Sequence, residues 1–444
     1  MMKWPTIAVS ALTLLGLSIL TTPVRAAEAA SPERYSGDLL TRSTLTGDWG
    51  GVRNDWLAKG VTFDASVTQI EQGVVDGGKN GGWEYGGRGD LTTVVDTQKL
   101  GLWPGGFLTV GLEGNWADSV NNKTGSLSPV NTNALFPLPG GDNVGLPTLN
   151  FAQFVSPYAG VVAGKFDTLA GDPNAFAHGK GDTQFLNVSL NVDPALLVVP
   201  YSPLGAGVIV LPTKDPNQAI VKLLVLSANG KASTDGFDDF HGALFNVEGR
   251  VRTDFLGLGG HQLLGGVYSN KKYTSLDQRL ESVIEGQALA TKRDTWVVYY
   301  NFDQFLYETD KNAEKGVGVF GRFGASEGQP VPVQYFYSLG IGGKGLIPTR
   351  DLDQFGIGYF YSSIRNPTLQ LQSGGTQSFL RDEWGFEVYY NIAVTPWLLV
   401  TPDVQVIGPA QKHPFGHDSN GMPVLEPENI GTATVLGVRW QVVF

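Results

Sequence analysis

Apolar and polar residues alternate one by one over much of this chain. In "GALFNVEGRVRTDF", Ala243, Phe245, Val247, Val251 and Phe255 take one side of an extended backbone, while Asn246, Glu248, Arg250, Arg252 and Asp254 take the other. Period-2 alternation marks a β-strand whose two faces meet unlike surroundings. "TWVVYYNF" aligns Trp296, Val298, Tyr300 and Phe302, and "QFGIGYFY" aligns Phe355, Ile357, Tyr359 and Tyr361 with Gly356 and Gly358 opposite. "EWGFEVYYNI" sets Trp384, Phe386, Val388, Tyr390 and Ile392 against Glu383, Glu387 and Asn391. The last run, "TVLGVRWQVVF", has Thr434, Leu436, Val438, Trp440, Val442 and Phe444 on one face and Arg439 on the other.

Either a soluble sandwich or a transmembrane barrel accommodates such strands. In a sandwich the apolar face is the core; in a barrel it meets lipid and the charged face lines a wet lumen. Strand length favours the barrel, because soluble strands average about five or six residues and membrane strands need roughly nine to eleven. Trp116, Trp296, Tyr361, Trp384, Trp397 and Phe444 lie near strand ends, as interfacial aromatic girdles require. The connections decide it. "LWPGG", "SPYAG", "KDPNQ", "FLGLGG", "DKNAEK", "LIPTR" and "TPW" are turn-like, and mostly long stretches fall between them. Tight periplasmic turns alternating with long outer loops are the signature of an outer-membrane barrel. Counting through this alternation predicts an all-β antiparallel barrel of about 16 strands over residues 61–444, with both ends on the periplasmic side.

The start of the chain differs. Lys3, the apolar run "TIAVSALTLLGLSIL" and the small residues of "VRAAEAA" read as a secretory signal peptide over residues 1–26, with cleavage extending to 29 at most. Residues 27–60 form an N-terminal periplasmic segment. Within it "GDWGGVRNDWLAKG" places Trp49, Val52 and Trp56 on one helical face, with Asp48 as N-cap and Gly60 as stop. The chain has no cysteine, which excludes disulfides and thiolate metal sites. Its formal net charge is −11 and its basic residues are scattered singly, so nucleic acid is not an expected partner.

Several stretches resemble the carbohydrate-selective porins (OprB family) of Gram-negative outer membranes: "LTGDWGGVRNDWLAKGVTFDAS", "GKFDTLAGD", "VGVFGRFGASEGQPVPVQYFYSLGIGGKGLIPTRDLDQFGIGYFYSS" and "YYNIAVTPWLLVTPDVQVI". The resemblance implies a sixteen-stranded barrel that admits sugars and is narrowed inside by arginines and carboxylates. The expected function is passive diffusion of small sugars, glucose-like monosaccharides first, without enzyme activity, metal or cofactor. The expected partners are the sugar, outer-membrane lipid and lipopolysaccharide, and the barrel-assembly machinery through Phe444. A homo-oligomer remains open.

A neutral sugar offers hydroxyls that donate and accept, so a selective pore needs fixed donors and acceptors that hold it weakly. Alternation turns Arg88, Asp90, Asp96, Glu113, Lys165, Asp167, Glu248, Arg250, Arg252, Arg322, Glu387 and Arg439 inward. The candidate pore-lining set is Arg88, Glu113, Glu248, Arg250, Arg252, Arg322 and Arg439. Trp83, Phe320 and Phe360 are candidate stacking surfaces. Arginines and carboxylates nearly balance, which predicts weak selectivity for ions of either sign. On this basis Arg439→Ala removes one lumen charge and changes flux modestly, whereas Val438→Arg faces lipid and harms insertion.

Rival functions are a general diffusion porin, an outer-membrane hydrolase, a plugged transporter and a secreted lectin. A hydrolase needs a histidine beside a serine or aspartate. His178, His241, His413 and His417 fall in loops and His261 begins a strand, with no such arrangement legible nearby. In "HPFGH", Pro414 and Gly416 oppose the helix that would align two histidine ligands.

Overall fold

A computed structural model describes residues 35–135, 137, 144–169, 173–230, 232, 242–279, 288–310, 315–367, 369–370, 376–378, 380–413, 415–417, 423–425 and 429–444. The signal peptide, His241 and Pro414 of "HPFGH" lie outside these residues.

Sixteen antiparallel strands close into one barrel. They are β1 (Val61–Gly78), β2 (Gly82–Asp96), β3 (Gly106–Ala117) and β4 (Val144–Ser156). Next come β5 (Ala159–Lys165), β6 (Pro203–Val210), β7 (Ala219–Gly230) and β8 (Ala243–Phe255). The third quarter is β9 (Leu258–Thr274), β10 (Thr291–Asp310), β11 (Lys315–Ser326) and β12 (Val333–Lys344). Last are β13 (Gln354–Ile364), β14 (Glu383–Thr395), β15 (Leu398–Gly408) and β16 (Gly431–Val443). Closure pairs β16 with β1 in a register that sets Val443 opposite Ser66 and Val438 opposite Glu71. Each barrel strand therefore has two neighbours, and the barrel itself has no open edge to aggregate.

The predicted turn stretches lie together at one end, the turn end; of "DKNAEK", residues 311–314 lie outside the described residues. The opposite, loop end carries the long connections, although β1 and β2 are joined there by residues 79–81 alone.

The faces follow the alternation. Ile341, Ile357, Val388, Val404 and Leu436 stand directly opposite one another on five neighbouring strands. All five point outward and are 36–49% exposed, so they form an aliphatic belt that needs lipid rather than water against it. Aromatic residues flank the belt at both ends. Exposed Trp116, Trp296 and Tyr335 lie toward the loop end, and exposed Trp103, Tyr158 and Phe255 toward the turn end. Trp83 belongs to this outer surface too. It pairs with Gly73, whose missing side chain leaves room for the indole, and it is half exposed. The expectation that Trp83 stacks on a solute inside is thus corrected: in β2 the odd-numbered residues face out.

Before β1, helix α1 (Val52–Ala58) forms as its spacing predicts and stops at Gly60, whose φ of 85° only glycine adopts freely. Its cap differs from expectation. Gly51, not Asp48, occupies the N-cap, with no side-chain cap bond. The Asp48 carboxylate instead accepts from the Ser36 hydroxyl (2.9 Å) and the Gly50 amide (3.1 Å), closing the preceding turn. The Ser36 hydrogen bond holds that carboxyl below its ordinary range.

Candidate functional site

The connection from β5 to β6 at the loop end, described over residues 166–169 and 173–202, turns down into the lumen instead of standing above the rim. A polar segment taken inside a barrel must have its backbone N–H and C=O groups satisfied there. The inward charges of the wall supply the partners. Arg322 donates to the carbonyls of Leu190 (2.8 Å) and Ala177. Arg439 donates to those of Gly181 and Gln184, both at 2.8 Å. Glu387 accepts from the amides of Leu186 and Asn187, the second at 2.8 Å. Farther round, Asn174 donates to Asn301 (2.8 Å) and to the Phe302 carbonyl (3.0 Å).

Within the segment, a short helical turn (Val188–Asn191) and a 3-10 turn (Pro194–Val198) are capped by Asn187 and Asp193, whose side chains accept from Ser189 and Ala195 amides. These are the local bonds that asparagine and aspartate favour at helix starts. Residues 118–135 turn in beside it. Thr132 donates to the Leu186 carbonyl (2.6 Å), Glu383 accepts from the Leu127 and Ser128 amides, and Gln405 donates to the Val130 carbonyl (2.9 Å).

Glycines make room for this packing. Phe176 lies over Gly318 and Gly342, and Phe185 lies over Gly356 and Gly358; a Cβ at any of the four would come within 3.2 Å of its ring. The run of glycines on the inner face of "QFGIGYFY" therefore has a use: it lets a second layer of chain approach the wall. Phe185 also packs against Phe320 (5.4 Å) and Tyr389 (4.8 Å). Phe320 and Phe360 are consequently buried, not open to a solute.

A charged cluster anchors the other side of the segment. Arg88 bridges Asp90 (3.0 Å) and Asp182 (2.6 Å), and Lys180 bridges Glu113 and Asp167. Tyr201 donates to Glu113 and lies under the Lys180 ammonium, 4.7 Å from its ring centre. Although burial alone would lower the ammonium, Asp167 and Glu113 hold Lys180 above its ordinary pKa. Burial pushes the Asp167 carboxyl up to about 6 despite Lys180. A carboxyl raised in this way favours folding while protonated. Its contribution is full below about pH 4 and is lost as the pH rises through about 6. Asp167→Asn should therefore raise the unfolding midpoint by a few degrees at pH 8 and by nothing at pH 4, as gel mobility after heating would show.

The seven candidate residues thus separate. Arg88, Glu113, Glu248, Arg322 and Arg439 are inward and buried. Four of them hold the inward segments; Glu248 instead bridges Lys222 and accepts from Tyr299 (2.7 Å) within the wall. Arg250 is buried as well and lines a small niche with Asn174, His261 and Asp303, and Arg252 is exposed. Lys222, Asp303 and Asp403 also point inward, unforeseen. For Lys222 the inner face is otherwise Ile220, Leu224 and Leu226, so the alternation gives no polar signal there. Lys180, Asp182 and Asp193 were missed because a loop has no period to read. His261 does sit beside an aspartate, with Nδ1 2.9 Å from Asp303, correcting the expectation that it has none. That pair also abuts Arg250 and Asn301, and among the described residues no serine, threonine or cysteine lines the same niche.

Comparison with known proteins places this arrangement. The structure superposes on the high-pH structure of Pseudomonas putida OprB with a TM-score of 0.73 at 21% identity, covering 92% of this chain and 100% of that one. The low-pH structure of the same protein matches with a TM-score of 0.54 at 18% identity, covering 91% and 99%. Both likenesses are of fold. A curated relative, Porin B of Pseudomonas aeruginosa, is 25% identical over 206 residues, which is 42% of each chain, so the match spans less than half of that relative's length. The family model "Carbohydrate-selective porin, OprB family" matches residues 81–444, and with an apolar belt outside and a polar lumen within, the chain belongs to that family of outer-membrane barrels.

Proposed function

We propose that this barrel passes small neutral sugars through the outer membrane by diffusion, without catalysis or energy input. The observation that carries this reading is the inward segment 166–202, held across the lumen by Arg322, Arg439 and Glu387. A wide barrel without it would admit any small solute. A barrel narrowed by a fixed polar layer passes solutes that can exchange hydrogen bonds with the layer as they move, and sugars do this at every carbon. Membership of the family supports the same substrate class.

In this reading the candidate residues have two roles. Arg88, Glu113, Arg322 and Arg439 shape the passage by holding chain, and Glu248 stiffens the wall. Arg252, exposed at the turn-end side of the lumen, and Asp182, partly exposed on the segment, touch the solute. Weak binding by exposed groups allows release, which a channel requires.

Liposomes containing the protein should swell faster in isotonic glucose than in an isotonic zwitterionic amino acid of similar size. Arg252→Ala should narrow that difference while leaving folding intact. Equal rates for all solutes of one size would favour a general diffusion porin, and no swelling with any sugar would overturn the reading.

A further inference from the structure

Helix α1 divides its surface into three stripes. Arg53 and Leu57 point into the protein and are buried. Val52 and Trp56, one turn apart, and Trp49, which packs on Trp56 from before the helix, form an exposed apolar stripe. Asp55 and Lys59 border that stripe, and Ala58, about 120° from Val52 around the axis, is the exposed position on the third side. The orientation is locked. The Arg53 guanidinium lies 3.9 Å from the Tyr35 ring centre, and it donates to Thr44 Oγ1 (3.0 Å) and the Phe63 carbonyl (2.6 Å). The helix cannot roll its tryptophans inward without breaking all three contacts.

The apolar stripe is continuous with the outer wall. Trp56 packs against Phe63 at 5.1 Å and against Trp49 at 6.0 Å. Phe63 is in the first turn-end residues of β1 and pairs with Thr93, which in turn belongs to the outward row through Val110 of β3. The barrel's own aromatic girdle, with Trp103 and Tyr158, occupies the same end. On the far side of the seam the Trp397 indole donates to the Leu39 carbonyl (2.6 Å), and the Leu45 amide donates to the Val443 carbonyl (2.7 Å). Residues 35–60 thus brace the β1–β16 seam while presenting tryptophans in line with the lipid face.

We propose that α1 is an interfacial membrane helix. Trp49, Val52 and Trp56 dock into the headgroup–acyl boundary of the periplasmic leaflet, Asp55 and Lys59 lie at its edge among the headgroups, and Ala58 faces the periplasm. A helix of seven residues is marginal alone. Tryptophan is the side chain best suited to this boundary, since its ring is apolar and its N–H remains hydrated. The helix then extends the aromatic girdle beyond the strands and fixes the depth of the seam in the bilayer.

The cysteine-free chain makes the test direct. Val52→Cys and Ala58→Cys would each carry an environment-sensitive fluorophore in full-length protein, reconstituted at low protein-to-lipid ratio in phosphatidylethanolamine–phosphatidylglycerol vesicles. Lipids brominated near the top of the acyl chain should quench the label at 52 several-fold more than the label at 58. Iodide in the water on the side of the bilayer that α1 faces should show the reverse. Equal iodide access at both positions would overturn the proposal, and so would quenching at 52 that appears only at high protein density, which would indicate a second copy. Should labelling at 52 disturb the fold, unlabelled Trp56→Phe provides a second reading. It must lose a share of the bromolipid-quenched tryptophan emission, and an unchanged share would equally overturn the assignment.

Discussion

Arg439→Ala should insert and fold, yet open the channel. Single channels should conduct more ions, and swelling assays should discriminate less between sugars and other solutes of the same size. The reason is geometric. Arg439 is 1% exposed, and its guanidinium reaches two carbonyls of the inward segment at 2.8 Å. Each such charged hydrogen bond contributes about 1.5–3 kcal/mol, and a loss of about 3 kcal/mol raises the population of a displaced segment roughly a hundredfold. Alternation along β16 alone makes Arg439 a lumen charge of modest effect. In the structure it holds chain, so the effect moves from ion flux to pore size. Both bonds leave the single nitrogen Nη1. Arg439→Lys keeps the charge but carries it as a shorter-reaching, more strongly hydrated ammonium, and it should fall between wild type and alanine. Conductance and discrimination both unchanged in Arg439→Ala would show that Arg322 and Glu387 suffice to hold the segment.

Val388→Arg should have the opposite character, with little protein reaching the folded state and normal conduction by what does. Val388 stands in the middle of the aliphatic belt, opposite Ile357 on one side and Val404 on the other. An arginine there turns a charge into hydrocarbon at a cost of roughly 2–4 kcal/mol near the midplane. Val438→Arg, the substitution that alternation first suggests, is the milder of the two. Its partner across the seam is Glu71, which is exposed on the same outward face and is placed to pair with the new guanidinium. The fraction refolded into bilayers, read from gel mobility of unheated samples, should therefore order as wild type, then Val438→Arg, then Val388→Arg. If both refold like the wild type, the belt does not lie against lipid.

Much of this architecture is legible in the residues alone, for a physical reason. Which face of a strand meets lipid is a local property, written into every second residue, so Phe245, Val247, Val388 and Trp296 are placed outward and Glu248, Arg322 and Arg439 inward without any knowledge of their neighbours. Turn chemistry is local too, and the short connections such as "SPYAG" and "FLGLGG" sufficed to count sixteen strands. Where local signals compete, they mislead. Asp48 reads as a helix cap but closes the turn before it: the helix is capped at Gly51, and Ser36 and Gly50 take up the carboxylate.

What the inward charges are for is not a local property. Residues 166–202 have no period of two, although Phe176, Phe185, Leu190 and the run "ALLVV" are more apolar than a loop in water needs. Their place in the lumen depends on partners far along the chain. Arg322 meets the Leu190 carbonyl across 132 positions, and Arg439 meets that of Gly181 across 258. Only closure of the barrel brings these wall residues to one level, and only then do their donors and acceptors match the segment's backbone. A pattern of alternation reveals that an arginine faces inward. Whether it meets water, a solute or another stretch of chain depends on what the closed barrel puts in front of it.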